Sequence, residues 1–309
     1  MQAVSINHYG DNGVLRIGAV DRPRPESGQI LVKVHAAGVN PVDWKIRSGA
    51  GQRMGLTLPL ILGGEISGVV AAVGEGVDRF VVGDAVHGIV KSGGFAEYVA
   101  VDAAVMAPMP IGLGFIDAAA IPLGALTAWQ AMFDLAGLAG GQRLLVTNGA
   151  GGVGSLAIQI ARAAGAHVTA MASGRNEAFV RGLGADAFID YTAGPFEAQA
   201  LDMDVVFDTV GGDTYKRAFA SLKPGGFLVT AVAFPLEEDG RQGVGVARVS
   251  CKPDAKQLAA IGALVEEGKL KPQVATVLSL AQAREALTLS ETGRTRGKIV
   301  LRIDSPEVR

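Results

Sequence analysis

The run Leu144-Leu145-Val146-Thr147-Asn148-Gly149-Ala150-Gly151-Gly152-Val153-Gly154-Ser155-Leu156 sets three glycines, Gly149, Gly151 and Gly154, in the pattern G-x-G-x-x-G. An apolar strand-like run precedes the turn and a helical run follows it. That context carries the signal, because the chain has 43 glycines in 309 residues, about 14% and roughly twice the usual share. The chemistry such a turn performs is phosphate binding. Gly149 permits a tight turn, Gly151 lets the backbone approach a pyrophosphate, and Gly154 lets the helix pack close to the sheet. Gly152 and Val153 complete the turn. The helix start then offers free N–H groups and the positive end of its dipole to the phosphates. These residues predict dinucleotide binding; the competing reading is an empty structural turn.

The next strand identifies the dinucleotide. NAD-selective folds place Asp or Glu about 20 residues after the turn, to bind the ribose 2′-hydroxyl. Here that strand ends Ala170-Met171-Ala172-Ser173-Gly174-Arg175-Asn176, and no acid comes before Glu177. Ser173 can donate a hydroxyl hydrogen bond, and Arg175 can form a charge-assisted fork with a 2′-phosphate. The expected cofactor is therefore NADPH. The alternative for Arg175 is an ordinary solvated surface charge.

Other motifs lead nowhere. Gly293-Arg294-Thr295-Arg296-Gly297-Lys298-Ile299 resembles a phosphate loop, but its glycines are one residue too close, Ile299 stands for Ser or Thr, and a strand follows. There is no G-x-S-x-G elbow and no H-E-x-x-H pair. The four histidines are scattered singly, with His35 and His167 in strand-like runs. The single cysteine, Cys251, excludes an internal disulfide and a cysteine-based zinc site. A net charge of −2 with no basic stripe predicts no nucleic-acid partner. No basic n-region followed by an apolar core opens the sequence, and no window reaches about 18 apolar residues. The expectation is a cytoplasmic protein with no membrane partner.

The elements that must position the turn fall into three stretches. Residues 1–112 read as β-rich, with short strands at Gln29–Ala36, Ile66–Val73, Ala85–Val90 and Phe95–Val101 and a turn about every ten residues. Residues 113–250 open with an Ala-rich helix over Ala118–Phe133. Strands (Leu144–Thr147, His167–Met171, Ala187–Asp190, Asp204–Asp208, Phe227–Ala231) then alternate with helices (Val153–Ala164, Glu177–Leu183, Thr214–Leu222). That alternation implies a parallel, doubly wound sheet. In residues 251–309, helices over Lys256–Gly268 and Ala281–Leu289 precede a strand at Gly297–Ile303. The expected architecture is a β-rich domain interrupted by a nucleotide-binding domain, with the last stretch returning to the first.

The sequence resembles the zinc-independent quinone oxidoreductase and enone reductase branch of the medium-chain dehydrogenase/reductase superfamily over nearly its whole length. The matching stretches are Ala36-Ala37-Gly38-Val39-Asn40-Pro41-Val42-Asp43-Trp44-Lys45, Leu62-Gly63-Gly64-Glu65-Ile66-Ser67-Gly68, Val82-Gly83-Asp84-Ala85-Val86 and Gly94-Phe95-Ala96-Glu97-Tyr98. The Gly149–Gly154 turn and the ending Gly297-Lys298-Ile299-Val300-Leu301 also match. The resemblance implies an α/β protein with a GroES-like catalytic domain and a Rossmann domain. Zinc-dependent members would carry Cys near Asn40 and His before Glu65; this chain has Asn40 and Gly64, and no four-cysteine lobe.

Without zinc there is no Lewis acid for alcohol oxidation. The resemblance then implies NADPH-dependent hydride transfer to a small-molecule quinone or α,β-unsaturated carbonyl. An enone also needs donors for the developing enolate oxygen and a proton at the α-carbon. By matched position, Asn40 orients cofactor or substrate, or is simply a turn residue before Pro41. Trp44 is an apolar wall or core, and Tyr9 a proton donor. Thr127 matches a position near the pyrophosphate, and Tyr191 one near the adenosine 2′-phosphate or adenine. Val210, Gly211, Ala233 and Phe234 fall at later strand ends, where such sheets bind ligands. The resemblance also implies a homodimer. Two competing readings are an enoyl-thioester reductase and a non-catalytic NADPH-binding redox sensor.

Overall fold

The computed structural model describes residues 1–303, and the chain divides into two compact units. The first comprises Met1–Leu123, Pro253–Gly262 and the chain from Pro272 onward; the second comprises Gly124–Lys252 and Ala263–Lys271.

The N-terminal part of the first unit holds eight strands: β1 (Gln2–Ile6), β2 (Arg16–Ala19), β3 (Gln29–Val39), β4 (Leu60–Ile61), β5 (Glu65–Val73), β6 (Ala85–Ile89), β7 (Tyr98–Asp102) and β8 (Met106–Pro108). The second unit adds β9 (Arg143–Val146), β10 (His167–Ala172), β11 (Ala187–Asp190), β12 (Met203–Asp208), β13 (Leu222–Thr230) and β14 (Gly245–Arg248). The returning chain adds β15 (Val274–Ser279) and β16 (Lys298–Arg302) to the first unit.

In the first unit a seven-stranded sheet runs β15-β16-β3-β5-β6-β8, with β7 also paired to β3, and a small sheet runs β2-β1-β4. The late strand β16 pairs antiparallel with β3, Ile299 opposite Val39 and Leu301 opposite Ala37. That pairing explains the sequence pattern at both chain ends: two apolar runs far apart in sequence complete one core. Ile30, Val32, Val34, Ile66 and Leu301 lie within it. Each such side chain, once buried, contributes about 1.5–3 kcal/mol.

The second unit is a six-stranded parallel sheet in the order β11-β10-β9-β12-β13-β14. Counted from β9, this is the doubly wound order 3-2-1-4-5-6, and it reverses between β9 and β12. Leu144, Leu145 and Val146 on β9 are all fully buried. A parallel strand covered on both faces has no solvent side, which is why this run is continuous rather than alternating.

Three local expectations change. The expected helix Ala118–Phe133 is broken into Phe115–Ala118, Pro122–Trp129 and a wider-turned segment Gln130–Leu135. Pro122 has no N–H and disfavours helical backbone at the residue before it, so it starts a helix rather than continuing one. The strand expected from Phe95 begins at Tyr98. Strands β14 and β15 carried no clear sequence signal: both lie at sheet edges, and neither has a fully buried residue. No helix among the described residues is long and apolar enough to cross a membrane.

Candidate functional site

In the second unit the glycine-rich turn joins β9 to the helix Gly154–Ala163. None of its three fingerprint glycines has a positive φ; the left-handed residue is Asn148, at φ 51°. The glycines serve close approach instead. A Cβ on Gly154 would lie 2.2 Å from the Asn148 carbonyl oxygen, and one on Gly149 would lie 3.0 Å from the Ala170 Cβ. A Cβ on Gly151 would meet the Asn148 side chain. The turn thus presents bare backbone at a helix start, the cradle a pyrophosphate needs. Gly152 and Val153 are partly exposed on it. Thr127 is buried on the helix Pro122–Trp129, whose Gly124 sits against Leu156 and the Gly152 carbonyl.

Ser173 and Arg175 follow β10. The Ser173 Oγ accepts from Asn176 Nδ2 at 3.1 Å, and Arg175 is exposed. The structure brings to this turn a residue that sequence spacing missed. Asp190, at the end of β11, pairs in register with Ala172 and lies against Gly174. Its carboxylate accepts from the Thr192 hydroxyl at 2.6 Å and the Thr192 N–H at 2.9 Å. The Thr192 hydroxyl and N–H, with help from the Gly174 N–H, hold its pKa below the usual carboxylate value. Asp190 therefore shapes the turn through backbone donors. Tyr191 beside it is about half exposed.

Val210 and Gly211 follow β12, and Ala233 and Phe234 follow β13. The structure brings these two loops together: a Cβ on Gly211 would lie 2.9 Å from Val232. Gly211 also has φ 76°, so only glycine fits there without strain. Phe234 is 76% exposed, and the Arg248 guanidinium sits 4.3 Å from its ring centroid.

The first unit holds a different construction. Asn40, Asp43, Glu65 and Lys298 are all buried. Asn40 precedes the short helix Pro41–Lys45, and its N–H donates to Asp43 Oδ2 at 2.7 Å. Its carboxamide faces the interior, where Nδ2 donates to Glu65 Oε1 at 2.8 Å and Oδ1 accepts from the Lys298 ammonium. The same ammonium pairs with Glu65, whose other oxygen accepts from the Leu123 N–H at 2.7 Å. Burial drives the Asp43 carboxyl up to about 7, and the Glu65 charge adds to the rise. The Asn40 and Gly63 N–H groups and Lys298 oppose it.

Among the described residues, the side chains of the other two first-unit candidates make no hydrogen bond to this network. The Tyr9 hydroxyl donates to the Leu56 carbonyl at 3.2 Å. Trp44 is partly buried, its indole N–H is buried without a hydrogen-bond partner, and the Lys45 ammonium lies 5.5 Å from its ring.

Lys298 is a residue that sequence reasoning set aside with the false phosphate loop. Its signal was a lysine opening a strand whose next three residues, Ile299-Val300-Leu301, are apolar. Asp208 is another: an acid closing an apolar strand, directly before Thr209-Val210-Gly211-Gly212.

Residues 26–111 match the alcohol dehydrogenase GroES-like domain, and residues 183–301 match the zinc-binding dehydrogenase family. The chain is 36% identical to the mitochondrial NAD(P)H oxidoreductase RTN4IP1 of Danio rerio, over 98% of this chain and 91% of that one. The chain belongs to the medium-chain dehydrogenase/reductase superfamily. It is also 34% identical to the chloroplastic NADPH-dependent alkenal/one oxidoreductase of Arabidopsis thaliana, covering 97% of this chain and 79% of that one. The solved quinone oxidoreductase of Coxiella burnetii matches with a TM-score of 0.90 and 34% identity, over 98% and 99% of the two chains. The fold is accordingly the superfamily's: a GroES-like unit and a Rossmann-type unit.

The zinc of the family description does not fit this donor set. Zinc needs thiolate, imidazole or carboxylate ligands converging on one point. Asn40 and Gly64 supply neither thiolate nor imidazole, and Glu65 is already paired with an ammonium. Among the described residues, no three His, Cys, Asp or Glu side chains are grouped to hold a metal ion.

Proposed function

We propose that the protein is an NADPH-dependent, zinc-independent oxidoreductase that reduces quinones or α,β-unsaturated carbonyls. One observation carries the reading: the doubly wound sheet presents a bare glycine turn at its first helix, while Ser173 and Arg175, rather than an acid, close the next strand. The likeness to an NADPH-dependent alkenal/one oxidoreductase and to a quinone oxidoreductase supports it.

In this reading Gly149, Gly151, Gly152, Val153 and Gly154 hold the pyrophosphate, with Thr127 close behind. Ser173, Arg175 and Tyr191 take the 2′-phosphate end, and Val210, Gly211, Ala233 and Phe234 border the other half. When bound, NADPH supplies the hydride. The chain's own work is to orient and to exclude water. Trp44 forms an apolar wall, and Asn40 fixes the loop that opens its helix. Tyr9 must release the Leu56 carbonyl before it can give a proton to an enolate carbon. A homodimer in the cytoplasm belongs to the same proposal and rests on the resemblance; size-exclusion chromatography with light scattering checks the assembly.

The experiment is NADPH consumption by purified protein with 1,4-naphthoquinone, a conjugated enone and an enoyl thioester. Saturable turnover of the quinone or the enone is expected. Turnover of the thioester alone would make it an enoyl-thioester reductase. Tight NADPH binding with no turnover would make it a sensor.

A further inference from the structure

Asp208 closes β12, is fully buried, and accepts four donors. The Thr147 hydroxyl from the end of β9 donates at 3.2 Å. The Thr230 hydroxyl from the end of β13 donates at 2.7 Å. The N–H groups of Val210 and Gly211 each donate at 3.0 Å. The two threonines extend the set: Thr147 Oγ1 accepts from the Thr209 N–H at 2.8 Å, and Thr230 Oγ1 accepts from the Ala233 N–H at 3.0 Å and the Val232 N–H at 3.2 Å. One carboxylate therefore fixes the ends of three adjacent strands and the backbone of both loops that leave β12 and β13. The far end of the second loop is tied as well: Asp239 Oδ2 accepts from the Tyr215 hydroxyl at 2.7 Å and the Leu236 N–H at 2.8 Å.

A doubly wound sheet consists of two mononucleotide-binding halves, and ligands lie outside the carboxyl ends of its strands at the point where the order reverses. The glycine turn and Arg175 belong to the half built on β9–β11; the two loops that the Asp208 set holds belong to the half built on β12–β14, with Thr147 at the end of β9 as its one tie to the first half. With the pyrophosphate on the glycine turn and the adenosine end at Arg175, the nicotinamide end would fall to the second half.

We propose that Asp208 is a positioning residue that shapes the nicotinamide half of the cofactor site, holding the Val210–Gly211 and Val232–Phe234 loops through the Thr147 and Thr230 hydroxyls. The proposal rests on the NADPH reading above. Thr230→Val removes the acceptor for two loop N–H groups, and Thr230→Ser keeps it. Asp208→Asn exchanges one acceptor for an NH2, which cannot take the proton that the Thr230 hydroxyl now gives.

The test compares two ligands by calorimetric titration: NADPH, and 2′,5′-ADP, which carries only the adenosine half. Asp208→Asn and Thr230→Val should each weaken NADPH about tenfold, the effect of one lost hydrogen bond to a charged or buried group. Both should leave 2′,5′-ADP within about threefold of wild type. Thr230→Ser should return NADPH affinity to within about threefold. Equal losses for both ligands would mean that Asp208 merely stabilises the unit, and would overturn the proposal; so would unchanged NADPH affinity in both variants. If Asp208→Asn does not fold, the Thr230→Val and Thr230→Ser pair decides alone. Wild-type protein that binds neither ligand would instead refute the NADPH reading.

Discussion

Asp208 in the second unit and Glu65 in the first are both fully buried carboxylates, yet they are satisfied in opposite ways. Asp208 takes two hydroxyls and two backbone N–H groups, with no cation among its partners in the described residues. Its partners lie at the open ends of strands and in the loops beyond them. Glu65 takes a buried ammonium, a carboxamide and one backbone N–H, all within the packed interior. The difference separates two jobs. Hydroxyl and backbone donors fix loop geometry at the strand ends without adding net charge beyond the carboxylate. An internal ion pair ties β5 to the distant β16 and to the Asn40 loop. Removing either partner of such a pair strands the other as an uncompensated charge.

The largest effect should come from breaking the ion pair. Lys298→Met should cost roughly 3–5 kcal/mol of unfolding free energy, measured by urea titration. The double variant Lys298→Met/Glu65→Gln should recover much of that loss, because it leaves no orphan charge. A single-variant cost below about 1 kcal/mol would mean that the ammonium contributes little to the first unit.

A smaller effect sharpens the other side of the comparison. Arg175→Ala removes a charge-assisted contact of roughly 1.5–3 kcal/mol, so the Michaelis constant for NADPH should rise about 10- to 100-fold. That for NADH should change less than about threefold. Steady-state rates with both cofactors measure this, and equal changes would remove the basis for NADPH selectivity.

A third effect is pH-dependent. Folded Asp43 keeps its proton up to about pH 7, whereas an ordinary aspartate releases it near 3.8. Below both values the group is protonated in both states and favours neither. Between them the unfolded chain holds fewer protons, so stability falls as pH rises; above about 7 the penalty is constant. Asp43→Asn should therefore gain on wild type between pH 4 and pH 7 in thermal melts. A constant difference across that range would show that Asp43 titrates normally.

Much of this architecture is legible in the sequence, because burial leaves periodic marks. The continuous apolar β9 and the strand–turn–helix around Gly154 follow directly from a sheet covered on both faces. The two buried networks are not legible in the same way. Lys298 reads as a basic residue in a glycine- and arginine-rich turn until β16 is paired with β3, which places it beside Asn40 and Glu65. Asp208 reads as a strand-end acid until Thr147 and Thr230, on neighbouring strands, converge on it. Asp190 lies beyond the window in which a ribose-binding acid is sought, yet strand register sets it against Gly174. In each case the missing information is which distant strands become neighbours. The glycine fingerprint is local and needs no such knowledge, although its left-handed residue proves to be Asn148.

The division of labour is tested most directly by NADPH affinity and melting temperature, measured together for Asp208→Asn and Asp43→Asn. Asp208→Asn should weaken NADPH about tenfold, whereas Asp43→Asn should change thermal stability and leave NADPH affinity within about threefold. Parallel loss of affinity in both variants, or loss in Asp43→Asn alone, would contradict the account.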